Sequence, residues 1–343
     1  MFPNSEAFKI GLTEPYARLN RAFIRQTIDL GGDVEKVPAD LMQFAGTQTS
    51  DRLVVTAGRF SVVDIFDTNK YANNPKTQFL NWAGAFSLPL DFGNDAWIYT
   101  WGAAAELYKD RFAFRVGYFD LTKTPTGGNS PLSYGVDDTF NNYNIMAEVE
   151  ERHEIWGQPG KVKFTASVDT GTMATFADAI AWGIANNTTP AVDQARKYAR
   201  KPAFSANVEQ QIVPDLGFFA RVGWIDPRYE TFDGTDVSLT VSTGLSLMGT
   251  RWGRPDDNVG VMFATSTIGK DAIAYFNAGG IGALVGDGQL TNSAPERVYE
   301  VYYNYALAPS MGLTFDYQYF QNPSFNADRG PISFVATRLH WQF

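Results

Sequence analysis

The stretch that decides the fold is NPSFNADRGPISFVATRLHWQF, residues 322–343. A turn-rich opening leads into a segment whose apolar residues recur at odd positions, at Val335, Leu339, Trp341 and Phe343, with polar residues between them. One apolar and one polar face at period two indicate a β-strand that separates two different solvents. The terminal aromatic residues suit a girdle at a membrane interface, although a soluble sandwich could also end on such a strand.

The same alternation recurs along nearly the whole chain. It is clearest in the hairpin of residues 143–170, where Val162 and Phe164 alternate with Lys161 and Lys163. The pattern predicts about fourteen strands of roughly ten residues, the length that a tilted strand needs to cross a bilayer. The predicted strands are residues 16–30, 52–64, a segment from 79 onward, 97–109, 111–121, 143–155, 161–170, 202–213, 216–225, 237–248, 259–268, 298–307, 313–320 and 333–343.

Short and long connections alternate between these strands. The short ones lie near Asp110, Gln158, Pro214 and Pro309, and the long ones are residues 122–142, 171–201, 269–295 and 321–331, of which 173–187 and 271–292 could contain short helices. Short turns on one side and long loops on the other are typical of outer-membrane barrels. The fold class predicted for residues 1–343 is therefore all-β, a single transmembrane antiparallel β-barrel, with an even number of strands and both ends on the short-turn side.

One connection does not fit this rule. Residues 65–78 are rich in Asn, Asp and Pro, which break strands, yet the count of strands puts them on the short-turn side. Either the number of strands predicted before this point is wrong, or the segment folds into the interior of the barrel.

The composition excludes several classes of protein. The 343 residues contain no cysteine, so disulfides, thiolate metal sites and cysteine nucleophiles are impossible. The net charge of -9 argues against nucleic acid as a partner. No stretch approaches the roughly 18 apolar residues of a membrane helix. The 15% of aromatic residues is high, as lipid-facing girdles would require, although a soluble core could account for it too.

The chain begins MFPNSEAFKI, which lacks the basic start and apolar run of a signal peptide. Since an exported protein needs such a segment, we expect that the signal peptide is missing from this sequence.

Several segments resemble the carbohydrate-selective porins of Gram-negative outer membranes, the OprB family. FIRQTIDLGG, EERHEIWGQPGKVK, WGRPDD and VGDGQL carry the resemblance, together with residues 57–83 and 322–343. The family implies an integral outer-membrane barrel of sixteen strands. Since about fourteen are present here, the resemblance implies that the first strands at the N-terminus are missing from this sequence. It also implies passive diffusion of glucose and other sugars through a pore that inward-folding segments narrow and that charged and aromatic residues line.

A sugar channel needs hydrogen-bonding groups for hydroxyls and aromatic surface for the ring face, and it must release what it binds. Opposite charges across a narrow lumen would offer bidentate partners to vicinal hydroxyls. Alternatively, such charged residues merely fill and wet the interior. Residues 64–81 are the candidate constriction, and the candidate lining residues are Arg21, Arg25, Asp64, Asp67, Tyr71, Asn81, Trp82, Trp101, Arg115, Glu148, Glu150, Arg152 and Arg221.

No motif marks a catalytic centre or a cofactor site. The two histidines, His153 and His340, lie far apart, and Asp256-Asp257 lacks the ligand series of a calcium loop. We therefore expect no enzyme, no cofactor and no metal. The expected partners are small neutral sugars and outer-membrane lipid, and a homotrimer is left open. The alternative is a structural or adhesive envelope barrel with a plugged lumen, which the long loops 171–201 and 269–295 would favour.

Overall fold

The computed structural model describes residues 3, 19–40, 42–93, 98–125, 139–282, 285 and 288–342. These residues form thirteen strands and three short α-helices. The strands are β1 (Ala22–Val37), β2 (Gly46–Phe60), β3 (Thr100–Lys109), β4 (Phe112–Asp120), β5 (Tyr143–Ile155), β6 (Gln158–Met173), β7 (Lys197–Val213), β8 (Leu216–Ile225), β9 (Leu239–Met248), β10 (Asn258–Thr267), β11 (Glu296–Ala308), β12 (Met311–Gln321) and β13 (Ile332–Trp341). The helices are α1 (Trp82–Ala85), α2 (Phe176–Ala185) and α3 (Lys270–Asn277).

All thirteen strands belong to one antiparallel sheet, in which each strand pairs with its neighbours in sequence from β1 to β13. This order is the meander that short hairpin turns produce, and it confirms the all-β antiparallel prediction. Within the described residues no helix is both long enough and apolar enough to cross a membrane.

The two faces of the sheet differ in the way that the alternation predicts. Phe164 is 63% exposed and Val116 53% exposed, whereas Lys163 and Thr165, which flank Phe164, are buried. We call the face of Lys163 and Thr165 the inner face and the opposite one the outer face. An apolar outer face with buried charge behind it is the reverse of a soluble sandwich, and it is the arrangement of a barrel wall in lipid. Val335 in the terminal strand follows the same rule, while Phe343 lies outside the described residues.

The predicted strand from residue 79 onward is not a strand. Asn81 accepts a hydrogen bond from the backbone N–H of Ala83 and so caps the single turn of α1. Removing this segment reduces the predicted fourteen strands to thirteen among the described residues. It also resolves the anomaly of residues 65–78, because residues 61–93 become part of one long connection on the long-loop side. As a consequence β1 begins on the long-loop side, not on the short-turn side as predicted.

The first hairpin is longer than predicted. Residues 31–37 and 46–50, expected as loop, extend β1 and β2. Gly31 and Gly32 have φ values of +116° and +85° and lie at two shifts in register, so the strand continues through bulges that only glycine adopts readily. The predicted short helices within the loops 171–201 and 269–295 are confirmed as α2 and α3, which contact each other through Phe176 and Tyr275.

Residues 61–93, which we call the inward segment, lie against the inner face of the sheet. Their large aromatic side chains are buried, and Phe66 and Phe79 contact Phe119 and Tyr302 of the sheet with ring centroids 5.8 and 4.9 Å apart. Both ends of the sheet reach the segment, since Arg21 precedes β1 and Arg338 lies in β13. The sheet therefore curves around the inward segment.

Candidate functional site

The centre of the inner face is a ladder of charged and polar side chains. Strand register places Glu150 opposite Lys163, Lys163 opposite Asn207, and Asn207 opposite Arg221, so that one row crosses four strands. All four residues are at least 98% buried. Side chains that are paired directly across antiparallel strands share a face, and period-two alternation therefore brings these residues together. The row runs beneath the inward segment.

Arg115 organises the first cluster of this ladder. Its guanidinium lies 2.8 Å from Glu148, 3.0 Å from Glu150 and 3.1 Å from Glu106. Burying so many ions is tolerated only where each is paired and hydrogen-bonded, as here. The structure thus brings together three of the predicted lining residues, and Glu148 has a further role because it accepts the backbone N–H of Asp67 at 2.8 Å.

Asp67 ties the inward segment to the second cluster. Its side chain accepts hydrogen bonds from Asn207 at 2.7 Å and from the backbone N–H of Ser87 at 2.5 Å, and it lies 3.4 Å from the guanidinium of Arg221. Arg221 also donates to the carbonyl oxygens of Asp67, Ala72 and Gly84. The predicted residues Asp67 and Arg221 therefore meet, and their contacts fix the shape of the inward segment itself.

A second anchor lies at Leu80 and Asn81. Glu300 of β11 accepts their backbone N–H groups at 2.5 and 3.2 Å, and the Asn81 side chain donates to Gln318 of β12 at 3.1 Å. Arg338 connects a third strand, β13, to the inward segment, since it donates to the Gln78 carbonyl oxygen at 3.1 Å. Asn81 therefore lies against the inner face, buried inside a network of hydrogen bonds.

A third anchor holds the end of the inward segment. The carboxylate of Asp91 lies 2.5 Å from the Lys201 ammonium and accepts the backbone N–H groups of Phe232, Asp233 and Gly234. Burial raises the pKa of Asp91, but the lysine charge and these hydrogen bonds outweigh burial and hold the pKa below its usual value. Neither Asp91 nor Lys201 was among the candidate residues, because nothing local marks a single carboxylate within an apolar stretch.

Arg21 and Arg25 lie near the first edge of the sheet. Arg21 forms a two-pronged contact with Asp64, at 2.7 and 3.0 Å, which fastens the start of the inward segment to β1. Hydrogen bonding to Asp64 raises the pKa of Arg21. Arg25 is exposed, and its Nε lies 3.4 Å from the Thr56 hydroxyl. Of the candidates Arg21, Arg25 and Asp64, Arg21 and Asp64 therefore pair with each other.

Two cavities open beside Lys70 and Tyr71 near the short-turn side of the sheet. The smaller has a volume of about 250 Å³ and reaches Leu216 and Asn304, and the larger, about 640 Å³, reaches Arg152. Lys70 and Tyr71 line both cavities and divide them. Burial, with Glu209 nearby, raises the pKa of Tyr71 to about 12, so that its ring carries a neutral hydroxyl at neutral pH.

The two candidate tryptophans differ in position. Trp82 belongs to α1, where its ring lies 5.7 Å from that of Phe86 within the inward segment. Trp101 lies on the outer face, because it shares the side of β3 that carries Ala103 and the exposed Leu107, opposite buried Ala104. The prediction that Trp101 lines the interior is therefore wrong. The strand alternates as expected, but its small residues gave too weak a signal to assign the face.

Among the described residues there is no group of three or more His, Asp or Glu side chains suited to a metal ion. The Asp256-Asp257 pair does not form one, since Asp257 lies 2.6 Å from Arg254 in the turn after β9. Hydrogen bonding from Arg254 lowers the pKa of Asp257 to about 2.

Comparison with known proteins gives a consistent picture. The family described as "Carbohydrate-selective porin, OprB family" matches residues 2–343. Among solved structures, that of Pseudomonas putida OprB at high pH superposes with a TM-score of 0.62 and 17% identity, covering 84% of this chain and 67% of that one. The outer-membrane channel DcaP of Acinetobacter baumannii has a TM-score of 0.45 at 10% identity, with 86% of this chain and 73% of that chain covered. The comparison with curated proteins found no match.

Proposed function

The chain belongs to the OprB family of carbohydrate-selective porins, integral to the bacterial outer membrane, and from this premise we propose that it passes neutral, glucose-type sugars by passive diffusion. The proposed passage is constricted by the inward segment and lined by charged and aromatic side chains. The observation that carries the proposal is the larger cavity, about 640 Å³, which Tyr71 and Arg152 border on the inner side of an apolar wall. Its volume is within the range of small-molecule sites.

The chemistry of this cavity suits a sugar. The Tyr71 ring offers a flat, weakly apolar surface to the ring face of a hexose. Arg152 contributes several N–H donors to hydroxyl groups, while Glu209 and Glu154 contribute acceptors. These groups are few, and Glu209 and Arg152 already have ionic partners, so binding of a sugar is weak, as diffusion through a channel requires.

The inward segment is the proposed constriction. Three sets of anchors hold it, at Asp67, at Leu80 with Asn81, and at Asp91, and together they connect it to strands on several sides of the sheet, among them β7, β8 and β11. A segment fixed at several points keeps the width of the passage constant. No energy-coupled step and no catalytic step is part of the proposal.

Uptake by liposomes tests the proposal. Vesicles that contain the protein should take up glucose faster than galactose, which has the same size but one hydroxyl in a different orientation. Tyr71→Ala should reduce this preference several-fold, because it removes the ring that both cavities share. The matched control is Trp101→Ala, which removes an aromatic ring from the outer face and should leave the ratio unchanged. Equal uptake of both sugars by the unaltered protein would contradict the proposed selectivity.

One observation favours a second candidate, a structural or adhesive barrel with a plugged lumen. The inward segment buries Phe66, Phe86 and Phe92 within the sheet, and α2 and α3 add buried aromatic residues to the same core. Single-channel recording separates the two candidates. A porin gives stepwise increases of conductance in a planar bilayer, whereas a plugged barrel gives none.

A further inference from the structure

Lys70 is a cation without a carboxylate partner among the described residues. Its backbone N–H donates to Glu209 at 2.7 Å, but its ammonium contacts only the Gln211 side-chain oxygen, at 3.4 Å, and lies 5.5 Å from the centre of the Tyr71 ring. The residue is exposed where the two cavities meet. This contrasts with Arg21, Arg115 and Arg221, each of which has a carboxylate within 4 Å.

The other cations around the larger cavity have carboxylate partners. Lys161 lies 3.5 Å from Glu209, and Arg152 lies 3.6 Å from Glu150, so these cations are already paired. The cavity wall carries three cations, Lys70, Arg152 and Lys161, against the carboxylates of Glu154 and Glu209. Glu150 adds a third carboxylate through its pairing with Arg152, so the charges of the wall balance. Lys70 is the cation of this wall that has no carboxylate partner among the described residues, and it is the group that can attract an anion.

The aromatic neighbour of Lys70 is held rigidly. Tyr71 lies against Gly217, where a Cβ atom would come within 2.0 Å of the tyrosine ring. The Tyr71 ring therefore cannot move toward β8, and it stays beside the Lys70 ammonium. A ligand with a weakly apolar ring face and a carboxylate a few ångströms away fits both groups at once.

We propose that the larger cavity binds acidic monosaccharides, with the carboxylate at Lys70 and the sugar ring at Tyr71. This inference rests on the proposed sugar channel and names a further substrate class for it. The chain then passes hexuronates such as glucuronate in preference to neutral hexoses of the same size. The preference is electrostatic, so it weakens as salt shortens the screening length to about 3 Å near 1 M.

Lys70→Gln tests the assignment, because glutamine keeps a hydrogen-bond donor and removes only the charge. In liposomes at low ionic strength the variant should lower the glucuronate-to-glucose uptake ratio by about fivefold, the effect of one solvent-exposed ion pair. Glucose uptake by the same vesicles is the reference in this ratio. The matched control is Lys76→Gln, a lysine of the same segment that lines neither cavity, and its ratio should equal that of the unaltered protein.

Calorimetric titration of glucuronate into the full chain in detergent micelles makes the test independent of transport. The expected result is binding to the unaltered protein and to Lys76→Gln, with about fivefold weaker binding to Lys70→Gln. Equal binding to all three proteins, or no binding to any, would overturn the inference. Absent glucose uptake together with normal glucuronate binding would instead contradict the sugar channel and leave the site in place.

Discussion

Asp67 illustrates how a single side chain can fix the position of a long segment. Its carboxylate meets Asn207, the Ser87 N–H and the guanidinium of Arg221, all of them buried. The Asp67 backbone has a φ of +53°, a conformation that aspartate adopts more readily than most residues. Removing one member of a buried ion pair leaves the other charge uncompensated, which is costlier than losing an exposed pair.

Asp67→Asn should lower the free energy of unfolding by about 3 kcal/mol, because Arg221 would then be buried with only neutral partners. The measurement is urea unfolding of the protein in lipid vesicles. Limited proteolysis should also cut the inward segment faster in this variant. Asp256→Asn, at an exposed position in the turn after β9, is the control and should change stability by less than about 0.5 kcal/mol. Similar losses in both variants would show that Asp67 is not an anchor.

Arg21 and Arg25 remain predicted lining residues. Replacing both with alanine should widen the passage and weaken sugar selectivity, since Arg21 also fastens the inward segment through Asp64. Conductance in planar bilayers and the glucose-to-galactose uptake ratio measure the two effects. Arg228→Ala, which removes an exposed arginine from the loop after β8, serves as the control. Unchanged conductance and selectivity would mean that neither side chain faces the passage.

At the scale of the element, the inward segment is the part that distinguishes this molecule from a bare sheet. Its end depends on Asp91, whose carboxylate is surrounded by the Lys201 ammonium and three backbone N–H groups of the loop after β8. Such a concave group of N–H donors stabilises a negative charge in the way that an anion site does. The segment is therefore held by a contact that requires Asp91 to be ionised.

The Asp91 contact should be sensitive to acid. The pKa of Asp91 in the folded state is lower than its unfolded value of about 3.9. The contact therefore contributes its full stabilisation of the folded state above that value, and the contribution is lost as the pH falls through the folded-state pKa. Limited proteolysis of the inward segment between pH 7 and pH 3 should show protection down to about pH 4 and increasing cleavage below it. Asp91→Asn should be cleaved faster at pH 7 and should lack this acid-dependent step. Identical pH profiles for both proteins would exclude Asp91 as the titrating group.

At the scale of the whole molecule, the chain is organised by what each face of the sheet contacts. The outer face carries exposed Phe, Val, Ile and Leu, while the inner face carries buried ions and the inward segment. This distribution suits a wall with lipid on one side and a polar interior on the other. The larger cavity lies on the polar side, near the short turns.

Phe164→Arg tests the assignment of the outer face, since it places a charge where lipid is expected. The change should destabilise the protein in vesicles by about 2–4 kcal/mol, the cost of arginine near the middle of a bilayer. Ile184→Arg is the matched control, because Ile184 is 78% exposed on α2, outside the sheet, and should tolerate the charge. Reversible unfolding in lipid vesicles gives both values. Equal stability of the two variants would contradict a lipid-facing outer surface.

The sequence by itself determined the local geometry and the family. Period-two alternation correctly assigned Phe164 to the outer face and Lys163 to the inner one, since the direction of a strand side chain depends only on its neighbours in the chain. The same rule placed Arg115, Glu148 and Glu150 on one surface. The rule did not assign the face of Trp101, because the small residues of β3 make its two faces similar in polarity. It also predicted a strand after Phe79, where a short apolar run is compatible with either a strand or a helix.

Only the tertiary structure decided which polar groups meet. Asn69 bonds Asn207 across 138 positions, Leu80 bonds Glu300 across 220, and Asp91 meets Lys201 across 110. No local pattern encodes such pairs, because they arise when the sheet curves and brings distant strands around one segment. The position of Lys70 between two cavities has the same origin. Its sequence neighbours predict an exposed position in a loop. Its location beside Arg152 and Lys161 results from the curvature of the sheet.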